Sequence, residues 1–403
     1  MDRCHPIRRL GVVASALAIL GSCASASPGG SGGAGSTLPA KVTLTERWRL
    51  PDIAATRSLF LRDGTVIAAG NPDSGTAGAE RLAAIDASAG KLRWSRALRA
   101  STDPEAVPFT SQYLRIVAAQ DGVFLSEFGT AAALDPIVGY SIGTGERLFP
   151  SDPKLEASRT AEELAGATRT GLVTTVGVVR NPATGVVSRL KGVTGTVLAI
   201  AGNAALAWSE GEHLLVAYDV RTDQPTWKLS LPTKPTIVVL DGARIIAATD
   251  TSWQIVSVAD GTATPLGFAG PVDPLNNFDT CSSADYQSVP VGRFSSPIAC
   301  DDQFIVADSG GRLAVVDLAT NKKASIAVCD TRVDPFAVAG DLVACATTTA
   351  GGQLSIRLLD GHSGFQLARV DAAAATPIGM AMTPDLLVLS LADGTIVGYD
   401  IGR

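Results

Sequence analysis

Charged, aromatic and histidine residues are scarce in this 403-residue chain, and each shortage argues against a class of protein. Asp, Glu, Lys and Arg together make up 18% of the residues, Phe, Trp and Tyr make up 5%, and the formal net charge is −6. No stripe of Lys and Arg appears, so the electrostatic footprint expected of a nucleic-acid-binding protein is missing. After residue 23, no apolar run approaches the roughly 18 residues that span a bilayer as a helix.

Sequence motifs for catalysis and metal binding are also missing. The chain has no Gly-x-Ser-x-Gly elbow, no Gly-rich phosphate loop and no Cys-x-x-Cys pair. Beyond the first 22 residues it has two histidines, His213 and His362, which argues against a Ser-His-Asp triad and a zinc site. The Asp residues in 273–302 could gather around calcium, but without EF-hand spacing we interpret them as a solvated acidic loop. We therefore expect no metal and no cofactor.

One pattern recurs eight times along the chain. An apolar strand ends in Asp, Ser or Asn. Four residues later comes Gly, Asp or Asn, and a second strand follows. The copies are AAIDASAGKLRW (83–94), VGYSIGTGERLF (138–149), VVRNPATGVVSR (178–189), VAYDVRTDQPTW (216–227), IVSVADGTATPL (255–266), AVVDLATNKKAS (314–325), RLLDGHSGFQLA (357–368) and the partial VGYDIGR (397–403). Asp, Ser and Asn can bond to the backbone two residues on, and Gly, Asn and Asp accept positive φ, so each copy predicts a tight turn.

The spacing of these copies predicts an all-β fold. A period of roughly 40–60 residues with four strands per repeat is typical of a β-propeller. Shorter apolar pairs before each turn, such as PFAVAGDLVACA (335–346), supply the two inner strands. We predict eight four-stranded blades, with seven as the alternative. The chain ends on a third strand, 393–401, and TERWRLP (45–51) resembles a fourth strand, so we expect the N-terminal strand to complete the last blade and remove two free edges.

The N-terminus reads as an export signal. Arg3, Arg8 and Arg9 precede the apolar run 10–20, which ends in Leu20-Gly21-Ser22-Cys23. This ending resembles the bacterial lipobox, which implies that Cys23 is the lipidated first residue of the mature protein; the alternative is a plain secretory signal. We therefore predict a lipoprotein signal peptide at 1–22, a lipidated Gly/Ser-rich tether at 23–41 and the propeller at 42–403. A flexible tether of about 17 residues reaches roughly 20–25 Å.

Four cysteines remain once Cys4 leaves with the signal and Cys23 takes lipid: Cys281, Cys300, Cys329 and Cys345. An even number in an oxidising compartment favours disulfides, and three pairings are possible. In the repeat alignment, sequential pairing (281–300 and 329–345) joins the cysteines that lie closest to each other, and we favour it. One disulfide with two buried thiols is the alternative.

A family resemblance rests on two copies of the repeat. Ala84, Asp86, Gly90 and Trp94 resemble the Ala-x-Asp-x-x-x-Gly-x-x-x-Trp repeat of pyrroloquinoline-quinone-type propellers, in which the Trp packs between adjacent blades. The copy at 216–227 repeats the Asp and Trp spacing, and Trp48 matches the outer-strand Trp. The family has a quinoprotein dehydrogenase branch and a noncatalytic branch, which includes the propeller lipoprotein of the outer-membrane β-barrel assembly machinery. The enzymes' vicinal Cys-Cys and the haem-binding Cys-x-x-Cys-His do not occur here, so the resemblance favours the noncatalytic branch.

The long segments between strands predict a binding face. The segments 99–110, 150–168 and 267–296 follow outer strands, and 70–80 and 129–136 join second to third strands, so all should lie on one face of a propeller. A rigid scaffold with long loops on one side is typical of binding proteins. The longest segment carries Phe268, Phe278, Tyr286 and Phe294, and aromatic residues are typical interface anchors. The alternative is that they pack on the insertion itself.

These features together lead to one functional hypothesis. We predict a monomeric, noncatalytic propeller, outside the cytoplasm and lipid-anchored to a bacterial cell membrane, that binds a protein partner on its long-loop face. A sensory propeller that binds a small molecule or ion in its central channel is the first alternative. A divergent quinone-dependent dehydrogenase is the second.

Overall fold

Every secondary-structure element in the described part of the chain is a β-strand. The computed structural model describes residues 42–71, 81–98, 114–119, 121–127, 137–148, 164–168, 171–181, 186–239, 242–266, 286–291, 298–300, 304–308, 313–317, 322–326 and 335–403. Within these ranges, no helix is long and apolar enough to cross a membrane. The predicted all-β class is confirmed for these residues.

In the described ranges the strands form eight antiparallel sheets of four strands each, numbered here along the chain. Sheet 1 contains β2 (Ala55–Arg62), β3 (Thr65–Asn71), β4 (Arg81–Asp86) and β5 (Lys91–Ala97). Sheet 2 contains β6 (Leu114–Ala119), β7 (Gly122–Glu127), β8 (Val138–Ser141) and, from later in the chain, β21 (Tyr286–Val291). Sheet 3 contains β9 (Leu164–Ala167), β10 (Leu172–Thr174), β11 (Val178–Arg180) and β12 (Val187–Arg189). Sheet 4 contains β13 (Thr196–Ala201), β14 (Ala204–Ser209), β15 (Leu214–Asp219) and β16 (Gln224–Ser230).

The second half of the chain repeats this plan. Sheet 5 contains β17 (Thr236–Val239), β18 (Arg244–Ala248), β19 (Trp253–Ser257) and β20 (Ala263–Leu266). Sheet 6 contains β22 (Ile298–Cys300), β23 (Phe304–Asp308), β24 (Leu313–Asp317) and β25 (Lys322–Ile326). Sheet 7 contains β26 (Phe336–Ala339), β27 (Leu342–Thr348), β28 (Gln353–Asp360) and β29 (Gln366–Ala374). Sheet 8 contains β30 (Pro377–Met382), β31 (Leu386–Leu391), β32 (Ile396–Gly402) and, from the start of the domain, β1 (Thr43–Leu50).

Burial falls from the second strand of a sheet to the fourth. All six residues of β31 are buried, whereas β16 has one buried residue, Trp227, among seven. The middle strands are covered on both faces by neighbouring sheets, which explains their continuous Val, Ile, Leu and Ala runs. The other six residues of β16 are exposed or half-buried.

The turn between the third and fourth strands has one geometry in five sheets. The N–H of the fifth residue donates to the C=O of the first, and the fifth residue has positive φ, which Gly adopts without steric cost. The pairs are Gly90 and Asp86, Gly145 and Ser141, Asp223 and Asp219, Gly261 and Ser257, and Gly364 and Asp360, with N···O distances of 2.8, 2.8, 2.8, 2.9 and 2.8 Å. The recurring sequence pattern therefore corresponds to one structural turn, as predicted.

Three tryptophans connect neighbouring sheets through these turns. Trp48 of sheet 8 covers Gly90 of sheet 1 and donates from Nε1 to the C=O of Ala87 at 2.9 Å. Trp94 of sheet 1 covers the turn glycine of sheet 2 in the same way, and its Nε1 lies 2.8 Å from the C=O of Ile142. Each indole is buried while its N–H has a carbonyl partner, so the contact combines apolar area with a satisfied hydrogen bond.

The third Trp contact joins sheet 4 to sheet 5. A Cβ atom on Gly261 would lie 2.8 Å from Cδ2 of Trp227, and the indole Nε1 donates to the C=O of Val258 at 2.6 Å. The packing between adjacent sheets that the family resemblance implies is thus present at all three of these boundaries.

The two ends of the domain meet in sheet 8. β1 pairs antiparallel with β32 from Thr43 opposite Gly402 to Leu50 opposite Ile396. Sheet 8 also contacts sheet 1 through buried polar groups: Ser390 Oγ accepts the N–H of Thr56 at 2.9 Å and donates to the C=O of Ala54 at 2.8 Å. The first and last parts of the domain are therefore joined by backbone pairing and by buried hydrogen bonds.

Candidate functional site

The residues proposed from the sequence as a binding face fall mostly outside the described part of the chain. Phe268, Phe278 and Phe294 lie there, as does Cys23. Tyr286 is the first residue of β21, whose backbone is described. The placement of the other aromatic residues, and of the predicted lipidation site, stays a prediction.

The expectation that 267–296 lies outside the strands is wrong for Tyr286–Val291. β21 pairs antiparallel with β6 from Tyr286 opposite Ala119 to Val291 opposite Leu114. It occupies the edge of sheet 2 on the side of the first strands. Pro290 is opposite Arg115 in this pairing. An edge strand tolerates Pro because the missing N–H can face away from the sheet.

The position of β21 is on the inner side of the sheets. First strands of consecutive sheets contact one another: β2 contacts β30, β30 contacts β26, and β13 contacts both β9 and β17. β21 contacts β2 as well as β6, so it lies between the first strands of sheets 1 and 2. The insertion thus supplies a strand where the sheets come closest, and sequence periodicity alone could not have located it.

The carboxylates of the turn aspartates accept hydrogen bonds from backbone N–H groups and are therefore not available as metal ligands. Asp86 Oδ1 accepts the N–H groups of Ser88 and Ala89, both at 2.9 Å, and the Ser88 hydroxyl at 2.6 Å. Its other oxygen accepts from Arg93 Nη2 at 2.8 Å. The Ser88 hydroxyl, followed by Arg93 and the Ala89 N–H, holds the pKa of this carboxyl well below its usual range.

The same arrangement recurs in two other sheets. Asp219 Oδ1 accepts the N–H groups of Arg221 and Thr222 at 2.9 and 2.8 Å, and the Thr222 N–H is the main cause of its lowered pKa. Asp360 Oδ1 accepts the N–H and the hydroxyl of Ser363, each at 2.6 Å. These carboxylates stabilise the turns as Asx motifs.

The described ranges contain no group of three or more His, Cys, Asp or Glu residues that could hold a metal ion. His213 has a positive φ of 52° and its ring meets Trp208 edge to face, with centroids 6.0 Å apart. Trp208 in turn donates from Nε1 to Glu210 Oε2 at 2.6 Å. Cys345 is buried in β27 and is disulfide-bonded. Cys281 and Cys329 lie outside the described residues, and the described residues do not identify the partner of Cys345, so the 329–345 pairing stays a prediction.

Comparisons with known proteins show the fold and no family. No family model matches the chain, and no curated protein matches it. The computationally designed Ika8 protein is 15% identical, covers 88% of this chain and 99% of its own length, and superposes with a TM-score of 0.55. The likeness shows a shared fold. The BamB protein from Moraxella catarrhalis is 14% identical over 89% of this chain and 98% of its own, with a TM-score of 0.40.

A second surface, which the repeat pattern did not single out, lies on sheet 3. Three of the five large apolar side chains that are exposed among the described residues belong to this sheet: Val176, Val186 and Val187. All three residues of β12 are exposed, whereas the outer strands β1, β5, β16 and β20 each bury a Trp or Leu. One signal was readable in the sequence, because residues 164–209 contain no Asp or Glu.

Proposed function

We propose that the domain is an eight-bladed β-propeller, closed by β1, that acts as a noncatalytic protein-binding scaffold in the bacterial cell envelope. The eight four-stranded sheets, the pairing of β1 with β32 and the contact of Trp48 with the turn of sheet 1 support a ring in which sheet 8 adjoins sheet 1. Closure of this kind protects strand edges and yields a rigid scaffold.

The observation that carries a binding role is how the polar groups of the repeated turns are used. Asp86, Asp219 and Asp360 each accept two backbone N–H groups of their own turn. Carboxylates that bond to the backbone of their own turns stabilise the scaffold. Side chains that recognise a partner are then expected in the segments and edge strands that differ from sheet to sheet. The strand β21 supports the same view, because it places insertion backbone between the first strands of sheets 1 and 2, where a channel ligand would need space.

We further propose that Cys23 carries the lipid that attaches this scaffold to the membrane, and that the segment 267–296 contributes to a partner-binding face. The lipobox ending at Cys23 and the four aromatic residues of the segment motivate these assignments. With the tether between them, the domain would stand off the membrane and remain accessible to an envelope protein.

Cross-linking in intact cells, followed by purification from solubilised membranes, tests the scaffold function. We expect a reproducible protein partner whose recovery falls about 30-fold in the double variant Phe278→Ala, Tyr286→Ala, since two interface hot spots contribute on the order of 2 kcal/mol or more. Arg221→Glu, in the turn of sheet 4 on the opposite face, is the matched control and should leave recovery unchanged.

Two results would contradict the proposal. The first is a cross-linking pattern that does not differ from that of an unrelated membrane-anchored protein. The second is a change in the quinone absorbance when the purified domain is mixed with pyrroloquinoline quinone and calcium, together with dehydrogenase activity. A double variant that melts at a lower temperature in step with its loss of binding would assign the two aromatic residues to the core instead.

A further inference from the structure

The outer edge of sheet 3 exposes two consecutive apolar residues. Val186, just before β12, is 67% exposed and Val187 on β12 is 39% exposed, and their side chains point to opposite faces of the sheet. Other outer strands expose polar residues such as Lys91, Gln224 and Lys228, together with Leu92 on β5. Edge strands usually carry charge or Pro, which prevents pairing with other chains, and exposed Val residues beside such charge leave apolar surface that a partner can cover.

The sequence of sheet 3 and of the first two strands of sheet 4 contains basic residues and no acidic ones. Residues 164–209 contain four Lys and Arg residues and no Asp or Glu, although the whole chain has a net charge of −6. Arg189 on β12 and Lys191 just beyond it are exposed. The Asp223 carboxylate of sheet 4 accepts the backbone N–H groups of Lys191 and Gly192 at 2.7 and 3.3 Å. Local charge of one sign attracts a partner segment of the opposite sign.

Among the described strands, β12 pairs with β11 on one side and with none on the other. The Asn181 N–H donates to the C=O of Val186 at 2.9 Å and the Leu190 N–H donates to the C=O of Gly177 at 2.9 Å, so residues 186 and 190 direct their backbone groups toward β11. Backbone groups alternate along an antiparallel strand, and those of Val187 and Arg189 therefore face the open edge.

Arg189 occupies the position that Trp94 and Trp227 hold in their own copies of the repeat. Those tryptophans turn inward onto the next sheet, whereas Arg189 is exposed. At this boundary Leu190 packs in a buried cluster with Tyr218 of sheet 4, and the Asp223 carboxylate accepts backbone N–H groups of sheet 3. The substitution therefore places an exposed cation where the other two copies have a buried ring.

We propose that the edge strand β12 is an acceptor for an extended, acidic segment of a partner protein, which adds to sheet 3 as a further strand. The segment would pair with the backbone groups of Val187 and Arg189, place an apolar residue against Val187 and place Asp or Glu opposite Arg189. Cross-strand pairs of this kind are favourable, and main-chain pairing supplies affinity while the side chains supply specificity. An extended peptide is favoured over an anionic membrane because a strand edge offers alternating donors and acceptors that lipid headgroups do not match.

This inference deepens the proposed function, on which it rests, by giving the chemistry of one partner segment. Its test uses the purified domain and a fluorescent synthetic peptide in which Thr alternates with Val or Glu. We expect binding that weakens about tenfold with Arg189→Glu and Lys191→Glu combined, and that is lost with Val187→Pro. Pro at an edge position whose N–H faces outward leaves the sheet intact, which a thermal melt of the variant checks. Lys228→Glu on β16 is the matched control and should bind as the wild type does.

Amide hydrogen exchange separates strand pairing from charge attraction. On peptide binding, the Val187 and Arg189 amides should become protected, while the Ser188 amide, which faces β11, should change little. Equal binding of a peptide with Lys in place of Glu would overturn the proposal. So would unprotected Val187 and Arg189 amides, or binding of anionic lipid vesicles in place of the peptide. A partner recovered by cross-linking together with no peptide binding would refute this site and leave the scaffold function standing.

Discussion

Trp48 lies directly over Gly90 although the two residues belong to different sheets, 8 and 1. A Cβ atom on Gly90 would overlap the Cγ of the indole, and the indole N–H donates to the C=O of Ala87 in the same turn at 2.9 Å. Gly90 has a φ of 61°, so the position requires Gly for two separate reasons, its backbone conformation and the ring above it. This contact joins the strand that begins the domain to the turn of the first complete repeat.

Gly90→Ala should destabilise the domain far more than Gly64→Ala. Both residues have positive φ, but a Cβ atom on Gly64 would meet nothing within 4 Å. We expect about 1–2 kcal/mol from the backbone strain at either position and a further 1–3 kcal/mol from overpacking at Gly90 alone. Chemical denaturation of the two variants measures the difference. Equal losses would mean that the indole moves aside freely.

The Trp48→Ala variant should cost about 3–5 kcal/mol by itself and should suppress much of the effect of Gly90→Ala, because it removes the ring that the new methyl group meets. A double-mutant cycle on Trp48 and Gly90 reports this coupling. Additive losses would contradict the contact.

Acid should weaken the domain through its turn carboxylates. The pKa of Asp86 is lowered in the folded protein, chiefly by the Ser88 hydroxyl and then by Arg93, so this carboxylate stabilises the fold above its unfolded pKa of about 3.9 and the contribution is lost as the pH falls below that value. We expect the melting temperature of Asp86→Asn to depend less on pH between pH 5 and pH 2 than that of the wild type. Ser88→Ala, which keeps the carboxylate, should show a smaller flattening. Parallel curves for all three proteins would rule out this role.

Cys23→Ala should release the exported protein from the membrane into the soluble fraction. A single acyl chain binds membranes only marginally, so stable attachment needs the more extensive lipidation that the lipobox resemblance implies for this cysteine. Cys4→Ala, in the part of the signal that is removed, is the control and should stay with the membrane. Retention of the Cys23 variant in high-salt washes would contradict lipid anchoring.

Non-reducing peptide mapping should find Cys345 linked to Cys329 and Cys281 linked to Cys300. Cys345 is already disulfide-bonded in the structure, so the mapping decides its partner. A disulfide that closes a loop of about 15–20 residues contributes on the order of 3 kcal/mol in the chain-entropy model, and reduction should lower the melting temperature accordingly. A link between Cys345 and Cys281 or Cys300 would overturn the sequential pairing.

Short sequence patterns are enough to predict the turns and the pairing of the first and last strands. The strand ending in Asp, Ser or Asn and the Gly four residues later predict the turn that five sheets share, because both residue types act within a few residues of themselves. The pairing of β1 with the last sheet followed from an unmatched third strand and a spare fourth strand. In sheet 3 the strands are three or four residues long.

Other features depended on contacts between residues that are far apart in the chain. The aromatic segment was predicted to be a loop throughout, yet Tyr286–Val291 pairs with β6. Alternation and Pro content identify an edge strand but carry no information about which edge it joins, since any open edge offers the same backbone groups.

Arg189 shows the same division between local and long-range information. The order of the residues alone shows that a cation stands where two other copies of the repeat have Trp. The exposure of this side chain at the edge of sheet 3 follows from the fold, because it depends on whether the neighbouring sheet offers a surface to pack against. Local turn chemistry and strand periodicity are properties of a few consecutive residues, whereas burial and edge exposure are set by how the sheets pack against one another.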